Sequence, residues 1–140
     1  MTSHHPAKPL RTPRGDVADI DINLIPLILA LWEAGYDTIG CCQDLGQNLE
    51  RYDRKAAYWT GYAMIEMPYR DACRLLDTIR TVPPFDQRMH WAAPGAWEVS
   101  LPIVTVDGQA AQAMWAQIHF PASQISELLQ VLTGGHLKGY

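Results

Sequence analysis

Two segments of this 140-residue chain carry the same pattern, and together they restrict its fold more than any other feature. Ala63-Met64-Ile65-Glu66-Met67-Pro68 and Ala116-Gln117-Ile118-His119-Phe120-Pro121 are offset by 53 residues (63 to 116). Each has the aromatic and branched character of a strand, whose successive side chains point to opposite faces. Each ends at a proline, and helical spacing follows. The first helix is read as Tyr69, Ala72, Cys73, Leu76 and Ile79 on one face, with Cys73 a small buried residue. The second carries Ile125, Leu128, Leu129 and Leu132, with Ser123 able to cap it. The likeness reaches back to Tyr62 against Trp115 and points to an internal repeat of a β-β-α unit.

The remaining elements fit around these two. Leu24, Leu27, Ile28, Leu31 and Trp32 predict a helix over 24–34, capped by Asp21 or Asn23 and carrying Pro26 in its first turn, where a missing N–H costs nothing. Gly35 suits the left-handed position after it. A strand follows over 38–42, then a polar loop over 43–57 long enough to be functional. A strand over 58–67 opens the first repeat. A third strand over 97–106 carries Pro102, which suggests an edge or a bulge. Asp107-Gly108 signals a hairpin turn into a fourth strand over 110–120.

The order α-β-β-α-β-β-α predicts an α+β fold: a two-layer sandwich with the helices on one face of a mostly antiparallel sheet. Residues 1–15, rich in proline and poor in apolar side chains, read as a disordered arm. Residues 16–133 form a single domain, and 134–140 a tail. The hydrophobic content of 48% supports a packed core.

Net charge is −4, and Lys and Arg do not cluster beyond the first fifteen residues, which weighs against nucleic acid as a partner. No apolar run reaches the roughly 18 residues of a membrane span. With no secretory leader pattern and three cysteines in no even framework, a cytoplasmic setting is expected.

Alternation along the repeated strands divides their residues between two faces. Ala63, Ile65 and Met67 join Met114, Ala116, Ile118 and Phe120 toward the helices. Tyr58, Tyr62, Glu66, Trp115, Gln117 and His119 fall on an open face, where aromatic rings beside polar groups suit recognition. That face could hold a flat ligand or pack against a second copy.

The adjacent thiols Cys41 and Cys42 end the strand that precedes the long loop. Alternation puts one toward the helices and one toward the open face, without deciding which. Cys42 with His119 is a candidate nucleophile and base, since a thiolate needs a neighbour that lowers its pKa. Parallel strands would set Glu66 beside His119; antiparallel strands would bring His119 toward Tyr58 and Cys42. Metal-ligand spacing is absent, so no metal and no cofactor are expected.

The segment 26–43, P-L-I-x-x-L-W-x-x-G-Y-x-T-I-x-C-C-Q, resembles small uncharacterised proteins of actinobacteria and their phages, in which a helix ends at Gly and a strand ends in Ser-Cys or Cys-Cys. The resemblance implies a source and no activity.

The expectation is a small binding protein, a homodimer, that holds a small aromatic or nucleotide-like molecule. Its site would be the open sheet face and the loop 43–57, with Gln43, Asp44, Tyr58, Tyr62, Glu66, Trp115 and Gln117 as contacts. The alternatives are a small enzyme using Cys42 and His119, and a protein-interaction module, encoded by a phage or its host, without a ligand.

Overall fold

The computed structural model describes residues 6–42, 61–89 and 97–134. Its elements are β1 (Ala7–Arg11), β2 (Val17–Asp21), α1 (Ile25–Glu33), β3 (Gly40–Cys42), β4 (Tyr62–Pro68), α2 (Tyr69–Ile79), β5 (Glu98–Ser100), β6 (Ile103–Val106), β7 (Gln109–Gln112), β8 (Trp115–Pro121) and α3 (Ile125–Thr133). The class is α+β, and every strand pairing among the described residues is antiparallel.

The central sheet has the order β3-β4-β8-β5, flanked by the separate hairpins β1-β2 and β6-β7. Its middle pair is the longest: β4 and β8 meet over seven residues each, from Tyr62 opposite Pro121 to Pro68 opposite Trp115, centred on Ile65 opposite Ile118. Alternation decides what each strand buries. Ala63, Ile65, Met67, Ala116, Ile118 and Phe120 join one buried cluster with Leu27, Ile28 and Leu31 of α1, Leu75 and Ile79 of α2 and Leu128 of α3. Burying each large aliphatic side chain there contributes about 1.5–3 kcal/mol relative to leaving it in water.

Helix α1 follows its sequence closely. Pro26 sits in the first turn. At the other end Gly35 adopts φ 92°, the Gly35 N–H donates to Trp32 O, and the Tyr36 N–H donates to Leu31 O. This pair of hydrogen bonds satisfies carbonyls that a helix end leaves open and turns the chain toward β3. No side-chain cap bond is made by Asp21 at the preceding 3-10 turn or by the residues that start α1. Pro26 removes one of the donors that such a cap would serve.

Several expectations are corrected. The arm expected to be disordered through residue 15 contains β1, which pairs with β2 from Ala7 opposite Asp21 to Arg11 opposite Val17. Leu10 packs against the core, the Thr12 hydroxyl donates to the Asp16 carboxylate, and Gly15 turns the chain at φ 100°. Composition alone could not show this, because one anchoring leucine and one turn are enough.

The two long later strands are each broken. The strand expected over 97–106 stops at Leu101-Pro102, since proline has no N–H to give the ladder. The strand expected over 110–120 stops at Ala113-Met114, so Met114 is 82% exposed instead of facing the helices. Between the breaks lies the β6-β7 hairpin, turned by Asp107 (φ 52°) and Gly108 (φ 78°) as the Asp-Gly pair predicts.

The buried stripe of α2 is Ala72, Leu75 and Ile79, with Tyr69 and Cys73 exposed. The stripe is rotated from the expected one: Leu75 takes the fully buried position, Leu76 is only partly buried and Cys73 is exposed. Ser123 does not cap α3: it lies within the 3-10 turn Ala122–Gln124, with Gln124 at the cap position and no side-chain cap bond.

Candidate functional site

The sheet face turned away from the helices carries two adjacent cross-strand rows. One runs Gly40, Glu66, Gln117, Ser100 across β3, β4, β8 and β5; the next runs Met64, His119, Glu98 across β4, β8 and β5, with the Cys42 backbone paired to Met64. Directly paired residues project to the same face, so each row is a line of neighbours. Strand order is thereby answered: β4 and β8 are antiparallel, Glu66 faces Gln117, and His119 lies diagonally from Glu66.

These side chains form a hydrogen-bonded chain. The Gln117 Nε2–H donates to Glu66 Oε2 at 2.8 Å. Ser100 Oγ lies 3.4 Å from both Gln117 Oε1 and His119 Nε2. A hydroxyl has one hydrogen, and the amide oxygen can only accept. Ser100 therefore donates to Gln117 and accepts from a His119 imidazole that carries its proton on Nε2. The polarity runs one way, from His119 through Ser100 and Gln117 to the Glu66 carboxylate.

His119 was expected on an exposed face, yet it is 4% exposed. Its strand is central, paired with β4 on one side and β5 on the other, so His119 is flanked by Met64 and Glu98. Burial lowers its pKa below the ordinary histidine value, and the carboxylates of Glu98 and Glu66 pull it partly back. Tyr62 shifts upward, through burial first and then the Glu98 charge. Tyr62 and Trp115 are both half-buried and stand at diagonally opposite corners of the β4-β8 pair, with the polar rows between them.

Gly40 matters to this arrangement. A Cβ there would lie 2.8 Å from Glu66 Oε1, so the missing side chain leaves room for the carboxylate that ends the chain.

The structure thus brings together Tyr62, Glu66, Trp115, Gln117 and His119 on one face. Gln43, Asp44 and Tyr58 lie outside the described residues, as does the loop 43–57. Cys41 pairs with Ile65 and packs against the core, which makes it the thiol on the helix side. The backbone of Cys42 shares its row with His119 but stands two strands from it, about 10 Å at the usual spacing.

Sequence reading missed Gly40, Glu98 and Ser100. Glu98 and Ser100 do alternate on a recognised strand, but nothing in the sequence says which strand is their neighbour. Among the described residues, no three His, Cys, Asp or Glu side chains gather as a metal would require, and no helix is long and apolar enough to cross a membrane.

A cavity lies elsewhere. It has a volume of about 470 Å³ and opens where the C-terminal turns of α1, α2 and α3 converge, on the helix side of the molecule.

Comparison with known proteins finds no family model, no curated protein and no solved structure that matches this chain.

Proposed function

We propose that this chain is a small-molecule binding protein whose ligand, a small aromatic or nucleotide-like compound, rests on the polar sheet face between Tyr62 and Trp115. The observation that supports the reading is the directed chain from His119 to Glu66, set between two half-buried aromatic side chains. Ring faces take flat ligands by stacking, and a few placed polar groups fix their orientation. Gln117 is the central group of that chain, with an amide that suits the edge of a heterocycle. The reading includes Gln43, Asp44 and Tyr58 as further contacts, a homodimer packed through this face, and a source among actinobacteria and their phages.

Native mass spectrometry of protein purified from cells tests it, together with thermal shift across a metabolite panel. The expected result is a retained mass or a stabilising compound, lost in Trp115→Ala and weakened in Gln117→Leu. Protein with no retained mass and no shift across the panel overturns the reading.

The alternative of a Cys42–His119 enzyme has less support. The two backbones stand about 10 Å apart at ordinary strand spacing, with Met64 between them in the row. A thiol-reactivity profile against pH separates the readings, because an activated thiol reacts below the free-thiol pKa of about 8.5.

A further inference from the structure

The cavity between the helix ends carries a second inference, independent of the sheet face. Its lining includes Ala30 and Glu33 of α1, Tyr36 just beyond it, Thr78 of α2, and Leu132 and Thr133 of α3. At about 470 Å³ it falls within the range of small-ligand sites.

What distinguishes it is the direction of its hydrogen bonds. The Thr78 hydroxyl donates to Arg74 O at 2.8 Å, and the Thr133 hydroxyl donates to Leu129 O at 2.8 Å. Each has one hydrogen, so both oxygens have only lone pairs left to offer. Tyr36 Oη lies 3.5 Å from Thr78 Oγ. Since the Thr78 hydrogen is already placed, the phenol is the donor there, and its oxygen too is left as an acceptor. Glu33 adds a carboxylate and is the one charged residue among the described residues that line the cavity. Three helix C-termini add the negative ends of their dipoles. Among the described residues, Arg74 is a nearby cation; it lies 4.8 Å over the Tyr36 ring and is ion-paired to Asp71 at 3.1 Å.

Glu33 is also costly where it stands. It occupies the last turn of α1, which holds no basic residue, and a carboxylate there opposes the helix dipole. Among the described residues it makes no ion pair. Glu33 is exposed, so its carboxylate is open to a ligand entering the cavity.

We infer that this cavity binds an organic cation with several N–H donors, a primary ammonium or a guanidinium, by its acceptor-only lining of Glu33, Tyr36, Thr78 and Thr133. The test is an amide NMR titration of the full chain with n-butylammonium and methylguanidinium, against n-butyrate at matched ionic strength. Both cations are expected to give saturable shifts at Ala30, Thr78 and Thr133, and butyrate none. Glu33→Gln should weaken binding at least about tenfold, the effect of losing a charged hydrogen-bond partner, while the melting temperature holds or rises. Thr133→Val, exposed and close in shape, should weaken binding with the fold intact. The inference is overturned by equal shifts with butyrate, by shifts confined to other residues, by unchanged affinity in Glu33→Gln, or by no saturable shift at concentrations on the order of 10 mM.

Discussion

Gly40 stands directly across from Glu66, and a Cβ on Gly40 would come within 2.8 Å of Glu66 Oε1. Gly40→Ala must therefore shift the Glu66 carboxylate, whose other oxygen accepts from Gln117. The expected loss is about 1 kcal/mol, the scale of one half-exposed hydrogen bond. The cost should vanish once Glu66 is shortened. A double-mutant cycle by urea unfolding with Glu66→Ala checks this, and additive effects would show that Gly40 and Glu66 are not coupled.

His119 makes stability depend on pH. Burial holds its pKa below 6.5, so the unfolded chain takes up a proton at a pH where the folded chain does not. Its contribution is complete above 6.5 and is lost as pH falls from there through the lowered folded value. Urea midpoints measured downward from about pH 7.5 should decline more in the native chain than in His119→Gln, which keeps an N–H for Ser100. Parallel profiles would remove His119 from the account.

Trp97 and Gln124 are tied by a buried bond of 2.8 Å from Trp97 Nε1 to Gln124 Oε1, while the indole stacks on Phe120 at 4.8 Å between centroids and meets Phe85 edge-on at 5.6 Å. Trp97→Phe keeps an aromatic ring but strands the amide oxygen, at about 1–3 kcal/mol. Adding Gln124→Leu removes the stranded group, so thermal melts should show the double variant recovering part of the loss. A double variant less stable than Trp97→Phe would contradict this.

Gly35 has φ 92°, and a Cβ there would meet nothing within 4 Å. The cost of Gly35→Ala is purely conformational, about 1–2 kcal/mol. Gly35→Asn should lose less, because asparagine tolerates the left-handed region. Equal melting temperatures for both variants would indicate that the turn after α1 can be remade another way.

Much of the sheet face was legible in advance because it depends on alternation. The period of two placed Tyr62, Glu66, Trp115, Gln117 and His119 on one face and Ala63, Ile65 and Ile118 on the other, as the structure shows. What alternation cannot supply is lateral order. Ser100 and Glu98 enter the site only because β5 pairs with β8, a choice made by packing across the whole chain. The same limit hid the burial of His119, which comes from its strand having a neighbour on both sides. The α2 stripe was misjudged for a different reason: Leu75 and Leu76 both satisfy a helical spacing, and only the contact with the sheet chooses Leu75. Strand β1 went unread because Leu10, the residue it packs against the core, sits in a segment that otherwise has the composition of a solvated tail.

The β4-β8 pairing also sets how the chain must fold. Its partners are separated by 47 residues (68 to 115) at one end and 59 (62 to 121) at the other. Among the described residues of the central sheet, β3 pairs only with β4 and β5 only with β8, so the four-stranded sheet is incomplete until this long loop closes. Closure entropy is spent before most sheet contacts form, which makes folding slow relative to that of a helical chain of equal length. Ile65 and Ile118 lie at the midpoint of the pairing that closes this loop. Ile65→Val and Ile118→Val should retard refolding and leave unfolding nearly unchanged in stopped-flow kinetics.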